Sequence, residues 1–297
     1  MKSALSFLLG LAVVTACAAA TPDEDYAAAI QDARAKRVGR LTAADGWLTL
    51  IGLHFLQAGA NTVGSARDNQ IVLARGPEHF GNVSLRDDGK VRFTASPDSG
   101  ALVDGRAAAG TELKPAGDGK PTLVTAGTVS FFVIERGGRM ALRVKDSAAD
   151  RRTAFLGIDY FPIDPSWRIE AQWVPFDPPR DVPITNMIGN TSSEKVPGKA
   201  VFHRDGKTYE LLPIIEGPGE PLFFVISDAT TGQETYLAAR FLYADLPKDG
   251  KVILDFNRAV NPPCAFTPFA TCPLPPRENQ LALAVTAGEK KYRGEHE

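Results

Sequence analysis

The sequence predicts an all-β fold, with an N-terminal β-sandwich, a second antiparallel β domain or barrel after it, and one helix in front of both. Three observations support this prediction. Apolar runs of strand length recur about every ten residues after Gly46, which is typical of sandwiches and barrels. Turn pairs such as Asp88-Gly89 and Gly137-Gly138 separate these runs. The 27 glycines and 22 prolines are high numbers for a helical protein.

Residues 1–20 are predicted to be an export signal. Lys2 supplies a positive start, Ala4 to Val14 supply an apolar run, and Ala18 to Ala20 supply small residues for cleavage before Thr21. A second processing route also fits, because the segment that ends at Cys17 resembles a bacterial lipobox, in which that cysteine is lipidated. Both routes place the protein outside the cytoplasm, periplasmic or secreted, and on the second route its contact with the membrane is the lipid anchor alone.

Residues 21–45 are predicted to form the helix and a linker. Acids dominate the first turn of the run from Asp23 to Arg37, and cations dominate its end, which suits the helix dipole. Gly39 is expected to end the helix.

The sandwich is expected to cover residues 46–160, and the second β domain residues 161–297. The proline-containing stretch from Phe161 to Pro165 is the predicted boundary. Beyond it, Trp167 to Val174 alternates apolar and polar residues, as a half-buried strand does. Leu281 to Thr286 is predicted to be the last strand.

The segment from Asn261 to Asn279 contains six prolines, so it is expected to be a rigid, irregular loop rather than a central strand. It also holds Cys264 and Cys272. Once Cys17 is removed or lipidated, these two form an even pair in an oxidising compartment, which predicts a disulfide. The loop is then either a structural cap on the β domain or the preformed rim of a ligand pocket.

Six polar residues in the second half are the candidate site. They are expected to converge in an antiparallel meander: Asp228, Glu234, Arg240, Asp255, Asn257 and Arg258. They can form an ion-pair and turn network, a site for a small anionic or polar ligand clamped by arginines, or a hydrolase site with paired carboxylates. The leading hypothesis is a non-enzymatic binding or envelope-associated module, and hydrolysis is the alternative. No residue is assigned a catalytic role.

Geometry separates these hypotheses. Two carboxylates facing each other across a cleft, roughly 5 to 10 Å apart, would favour hydrolysis. Carboxylates that are each tied to an arginine or a turn amide would favour binding or a structural role.

Composition and missing motifs exclude several classes of function. The chain has 33 basic and 35 acidic residues, so no basic face is expected for nucleic acid. None of the four histidines forms a pair with metal-ligand spacing, and the sequence contains no P-loop, Rossmann fingerprint or G-x-S-x-G elbow. No metal or cofactor is therefore predicted, and the expected partner is a small molecule or a component of the cell envelope.

Several segments resemble a family of bacterial exported proteins known as domain of unknown function 1684 (DUF1684). They are Gly46 to His54, Asn61 to Ser65, Asp228 to Tyr236, Asp255 to Arg258, and the Asn261 to Asn279 loop with its continuation to Lys290. The resemblance implies no reaction and no catalytic residue.

The first half is also similar to the opening of a forkhead-associated β-sandwich, a domain that binds phosphothreonine peptides. The similarity lies in Gly64-Ser65, Asn69 to Leu73 and Gly81 to Leu85. Ser65 stands where that family has its phosphate-binding arginine, and no Ser-x-x-His follows Leu73. The resemblance therefore implies the sandwich but not phosphopeptide binding.

Overall fold

The computed structural model describes residues 21–107, 110–117 and 119–294. The predicted export signal with Cys17 lies outside the described residues. Helix α1 (Pro22–Thr42) begins directly after it. Thr21 caps the helix, because its hydroxyl accepts the amide of Glu24 while the Glu24 carboxylate accepts the amide of Thr21.

Helix α1 continues through Gly39 for another three residues, so the expectation that Gly39 ends it is wrong. Leu41, in the last turn, is 1% exposed and packs with Leu48 of the short 3-10 turn Trp47–Thr49. Burial of this leucine favours another helical turn, and the effect exceeds the modest helix penalty of a single glycine. The helix therefore ends at Thr42, shortly before this 3-10 turn.

Eleven strands of the described chain build the first half. They are β1 (Leu50–Phe55), β2 (Gly59–Gly64), β3 (Ile71–Val72), β4 (Gly81–Leu85), β5 (Val91–Ala95), β6 (Leu102–Val103), β7 (Arg106–Ala107), β8 (Thr111–Leu113), β9 (Val124–Ala126), β10 (Val129–Arg136) and β11 (Arg139–Asp146). They pair as one sheet in the order β1-β11-β10-β9-β6-β7 and a second in the order β3-β2-β4-β5-β8. Only the short β2–β3 pair is parallel within these sheets.

The two sheets share one core, which confirms the predicted sandwich. Alternate residues of their strands point inward, as the period of two requires. Phe80, Phe93 and Phe131 meet edge to face at the centre, with ring centroids 5.1 to 6.3 Å apart.

The second half is also antiparallel. Its strands are β12 (Arg168–Thr185), β13 (Thr191–Arg204), β14 (Lys207–Leu211), β15 (Leu222–Ile226), β16 (Arg240–Ala244) and β17 (Lys251–Asp255). One sheet has the order β14-β13-β12-β17, and β15 pairs with β16 in another. Phe202, Phe224 and Leu242 bring both sheets into one core. The all-β prediction with a single long helix is therefore confirmed, whereas the domain boundary at Phe161 to Pro165 stays a prediction.

The predicted last strand, Leu281 to Thr286, is wrong: this segment is irregular. Its backbone groups bond to side chains and loop amides rather than to a neighbouring strand. The Val285 carbonyl accepts from the Arg240 guanidinium, and the Leu283 carbonyl accepts from the Ala229 amide. A sheet ladder needs those same carbonyls, so the buried arginine replaces the ladder here.

The proline-rich loop is irregular, as expected, with 3-10 turns at Pro263–Ala265 and Arg277–Asn279. Phe266 is 1% exposed and packs against Phe155 and Tyr292. None of the described helices combines the length and the apolar character that crossing a membrane requires.

Candidate ligand-binding cleft

A cleft of about 730 Å³ lies between helix α1 and strands β16 and β17. This is within the usual size range of small-molecule sites. Its ionisable lining consists of arginines and acids from both walls: Arg34, Arg37, Arg40, Arg168 and Arg258 against Asp245, Asp255 and Glu289. Three tyrosines, Tyr26, Tyr160 and Tyr243, also line it.

At the start of helix α1, Tyr26 connects the two walls. Its hydroxyl donates to Asp255 Oδ1 at 2.7 Å and accepts from Asn257 Nδ2 at 3.0 Å. Burial raises the pKa of the Tyr26 phenol, and the hydrogen bond to the Asp255 carboxylate raises that pKa further. The phenol is therefore a fixed neutral donor in this part of the cleft.

The Asp255 carboxylate also has partners close to it in sequence. It accepts from the Asn257 amide at 3.2 Å and forms an ion pair with Arg258 Nε at 3.2 Å. Asn257 also bonds to both backbone groups of Asp164, at 2.8 and 3.1 Å. These bonds explain why the chain turns sharply after β17: the polar side chains satisfy the backbone that the ending strand leaves unpaired.

Halfway along the helix, Arg34 lies over the ring of Tyr160 with its guanidinium carbon 4.2 Å from the ring centroid. One Nη donates to the Phe161 carbonyl at 3.1 Å. Arg34 Nε and Tyr160 Oη are buried and have no hydrogen-bond partner among the described residues. Burial lowers the pKa of Arg34 and raises that of Tyr160. Two polar atoms beside the cleft are therefore unsatisfied, which is uncommon in a folded protein.

Further along the helix, Arg37 is fixed by Glu289, a carboxylate with no solvent exposure. Arg37 Nε lies 3.1 Å from Glu289 Oε1, and one Nη donates to the Asn261 carbonyl at 2.7 Å. The Asn261 amide donates to the second Glu289 oxygen at 2.6 Å. Burial raises the pKa of Glu289, while Arg37 and the amide oppose that rise.

Gly288 makes the position of Glu289 feasible. Its φ is +81°, and a Cβ there would lie 2.5 Å from the Ala259 carbonyl oxygen. The Glu289 amide donates to that same carbonyl at 2.8 Å. Glycine is therefore required for the close approach that carries Glu289 into the cleft wall.

Two arginines of the cleft remain uncommitted. The side chains of Arg40, in the last turn of α1, and Arg168, at the start of β12, make no hydrogen bond or ion pair within the described part of the chain. Both are exposed. The guanidinium groups of Arg40 and Arg168 are thus available to a ligand.

Tyr243 provides an aromatic surface in the same cleft. Its ring stacks on Phe223, with centroids 4.8 Å apart and planes 13° apart, and the residue is 44% exposed. Burial of its hydroxyl end raises the pKa of Tyr243 to about 12. The phenol therefore stays neutral at physiological pH.

The six predicted site residues do not form one cluster. Asp255, Asn257 and Arg258 line the cleft, whereas Asp228 and Arg240 lie behind it in the core. Arg240 is 1% exposed and Asp228 accepts from it at 2.7 Å. The same guanidinium donates to the Val285 and Ala287 carbonyls, and burial lowers its pKa.

Glu234 is separate from both groups. It forms a partly exposed ion pair with Lys290 at 3.4 Å, at the surface. Asp228, Glu234 and Asp255 are thus each tied to a cation, and Asp228 also accepts the Thr230 turn amide. This is the arrangement that favours binding or structure over acid and base catalysis.

The predicted disulfide is not present in the structure, where Cys264 and Cys272 are free thiols. Both are buried, and each Sγ accepts the backbone amide of the other cysteine at 3.3 Å. The two side chains are therefore adjacent across the loop.

Sequence reasoning missed most of the cleft. One signal was available: Arg34, Arg37 and Arg40 have i, i+3, i+6 spacing, which places them on one face of the helix. Tyr160, Arg168 and Glu289 carry no such local signal. Within residues 21–294, gaps excepted, no group of three His, Cys, Asp or Glu side chains is arranged to hold a metal ion.

The second half of the chain matches a known protein family. A family model described as protein of unknown function (DUF1684) matches residues 153–290. The NMR solution structure of an uncharacterized protein from Haloarcula marismortui is 33% identical to the chain, covering 47% of this chain and 78% of that one, with a TM-score of 0.40. This chain belongs to the DUF1684 family.

The DUF1684 match includes Asp255, Asn257, Arg258, the cysteine loop and Glu289. The match starts after helix α1 and after the sandwich. The segments from Gly46 to Ser65 that resemble the family therefore lie outside the matched residues. The helix wall of the cleft, with Arg34, Arg37 and Arg40, lies outside the matched region.

A second solved structure aligns only loosely with the chain. The crystal structure of Rad53 residues 1–466 with AMP-PNP aligns at 8% identity, covering 73% of this chain and 50% of that one, with a TM-score of 0.15. A TM-score this low does not support a conclusion about a shared fold. No curated protein matches the chain.

Proposed function

We propose that this DUF1684 protein is an exported, non-enzymatic binding module that takes a small anionic ligand in the cleft beside helix α1. One observation carries the proposal: Arg40 and Arg168 are uncommitted guanidinium groups in a cleft of ligand size. Arginine binds carboxylates and phosphates through two parallel hydrogen bonds, so uncommitted guanidinium groups favour such ligands.

The acids of the cleft support binding rather than hydrolysis. Asp255 is paired with Arg258, and Glu289 is paired with Arg37. A general base needs a lone pair that is free to take a proton from the reacting group, and these carboxylates are already committed.

Anion binding can be measured directly. Isothermal titration of the purified mature protein with inorganic phosphate and with citrate at low salt should give binding that weakens as NaCl is added. Arg40→Gln combined with Arg168→Gln should weaken it at least tenfold. Arg67→Gln, which removes an exposed arginine of the sandwich, should leave it unchanged. Equal binding by the double variant and the wild type would place the anion elsewhere and refute the proposal.

Export is supported by the pattern of residues 1–20. Cleavage before Thr21 would leave the capping residue of α1 as the new N-terminus, whereas lipidation at Cys17 would leave a short tether before the helix. Mass spectrometry of the mature protein decides between them: an N-terminal Thr21 indicates a released protein, and a diacylglyceryl Cys17 a lipoprotein. An intact Met1 on protein from the native cell would contradict export.

We also propose that Cys264 and Cys272 form a disulfide in the exported protein. The proposal is supported by the contacts in which each sulfur accepts the backbone amide of the other cysteine at 3.3 Å. Closing a loop of about nine residues would stabilise the fold by roughly 2 to 3 kcal/mol in the chain-entropy model. Protein isolated from the envelope and unfolded in guanidinium should take up no thiol reagent until a reductant is added. Labelling of both cysteines without reductant would contradict the disulfide.

A further inference from the structure

We propose that the ligand of this cleft is elongated and carries an anionic group at each end of an apolar body. This inference rests on the proposed function and names the ligand class of the same site. It follows from the positions of the cations along the cleft and from the side chains between them.

Four of the five arginines that line the cleft form two groups, and the fifth, Arg34, lies between them against Tyr160. Arg168 and Arg258 lie at the start of helix α1, because Tyr26 bonds to Asp255, which pairs in register with Arg168 and forms an ion pair with Arg258. Arg37 and Arg40 lie near the helix end. At 1.5 Å per residue, the 11 to 14 residues from Tyr26 to these two arginines correspond to about 17 to 21 Å.

Each group combines one fixed and one uncommitted arginine. Asp255 fixes Arg258 at 3.2 Å, and the buried Glu289 fixes Arg37 at 3.1 Å. Arg168 and Arg40 complete the two groups without a hydrogen bond or ion pair of their own among the described residues. A single compact anion could reach only one of these groups, so the second would remain unneutralised.

The remaining acid of the lining, Asp245, is exposed and follows β16 directly. It forms no ion pair with any described residue. After its two internal ion pairs are formed, the cleft therefore retains more arginines than acids. This excess positive charge can be neutralised by two ligand anions.

Apart from Arg34, which is stacked on Tyr160, the wall between the two groups carries several apolar side chains. Ala33 lines it from the helix, beside the fully buried Ile30, and Ile253 and Val260 line it from the opposite side. Tyr243 adds a half-exposed ring whose other face is stacked on Phe223. An apolar body laid along this strip would be removed from water at both surfaces, which favours binding by roughly 25 cal/mol per Å² buried.

A length series tests this inference. Butanedioate, octanedioate and decanedioate carry the same two charges at increasing separation. Decanoate has the same chain length as decanedioate but only one charge. We expect decanedioate to bind the purified protein at least tenfold more tightly than butanedioate or decanoate in isothermal titration. Arg40→Gln and Arg168→Gln should each reduce decanedioate binding to the level of decanoate, and Arg67→Gln should not.

Arg40→Lys and Arg168→Lys should retain part of the preference for length, since they keep the charge but not the two-point geometry. Circular dichroism melts of all variants verify that they fold. Equal affinity for the whole series would overturn the inference, while phosphate binding that depends on Arg40 and Arg168 would leave the proposed function standing. If neither phosphate nor any member of the length series binds in the cleft, both the proposed function and this inference would be refuted.

Discussion

Tyr26 Oη lies 2.7 Å from Asp255 Oδ1, which joins residues 229 positions apart and fixes the N-terminal helix to the sheet wall of the cleft. Tyr26 Oη also accepts a hydrogen bond from Asn257 Nδ2. The helix buries few of its own apolar residues, chiefly Ile30 and Leu41. Its position therefore depends strongly on polar contacts to the second β domain.

Tyr26→Phe should loosen this attachment. The variant loses both hydrogen bonds of the phenol, one of them to a carboxylate, at a cost of about 1 to 3 kcal/mol. Hydrogen exchange across Pro22–Thr42 should become faster than in the wild type. Tyr243→Phe is the matched control, because the Tyr243 hydroxyl forms no hydrogen bond within the described chain. Unchanged exchange in Tyr26→Phe would mean that the phenol does not hold the helix.

Asp228→Asn should strongly destabilise the second β domain. It removes the charge that pairs with Arg240, which is 1% exposed, and an uncompensated buried charge costs about 3 to 5 kcal/mol. Urea unfolding measures the loss. Glu170→Gln is the control, since its pair with Lys251 is more than half exposed on both sides and should change the midpoint little. Similar midpoints for both variants would contradict the importance of burial.

Asn279→Leu should also destabilise the fold. The Asn279 side chain accepts the Leu212 amide at 2.7 Å and donates to the Leu212 and Val225 carbonyls at 2.8 and 2.9 Å. Leucine has a similar size but leaves these buried backbone groups without a partner, which costs about 3 kcal/mol or more in total. Gln280→Leu, at the exposed neighbouring position, should cost far less in the same unfolding experiment.

His54 should make folding stability depend on pH. Burial lowers its pKa from the ordinary value of 6.5, so below that value the unfolded chain takes up a proton more readily than the folded chain. The stability that depends on neutral His54 is present above pH 6.5 and is lost as the pH falls below it. Thermal melts between pH 7 and pH 5 should show a smaller decline for His54→Gln than for the wild type.

The exposed His79 provides the control for this experiment, and His79→Gln should keep the wild-type decline. A parallel decline in wild type and His54→Gln would show that other groups determine the acid sensitivity.

Parts of the candidate site were accessible from the sequence. Asp255, Asn257 and Arg258 stand out because three polar residues interrupted only by Phe256 follow an apolar strand, and they do line the cleft. The predicted convergence with Asp228, Glu234 and Arg240 depended on how strands bend and pair over long distances. Local patterns do not contain that information. In the structure the six residues are divided among a core pair, a surface pair and a wall of the cleft.

Local sequence patterns predict the periodic features: strand-length runs with turns between them, a helix with acids at its start, and a loop that six prolines keep out of any sheet. These follow from local sterics and from the alternation of apolar residues. The cleft, in contrast, depends on long-range packing, since Tyr160 and Glu289 meet Arg34 and Arg37 across more than 120 residues of chain. Burial and charge pairing depend on which surfaces meet, and folding of the whole chain determines that.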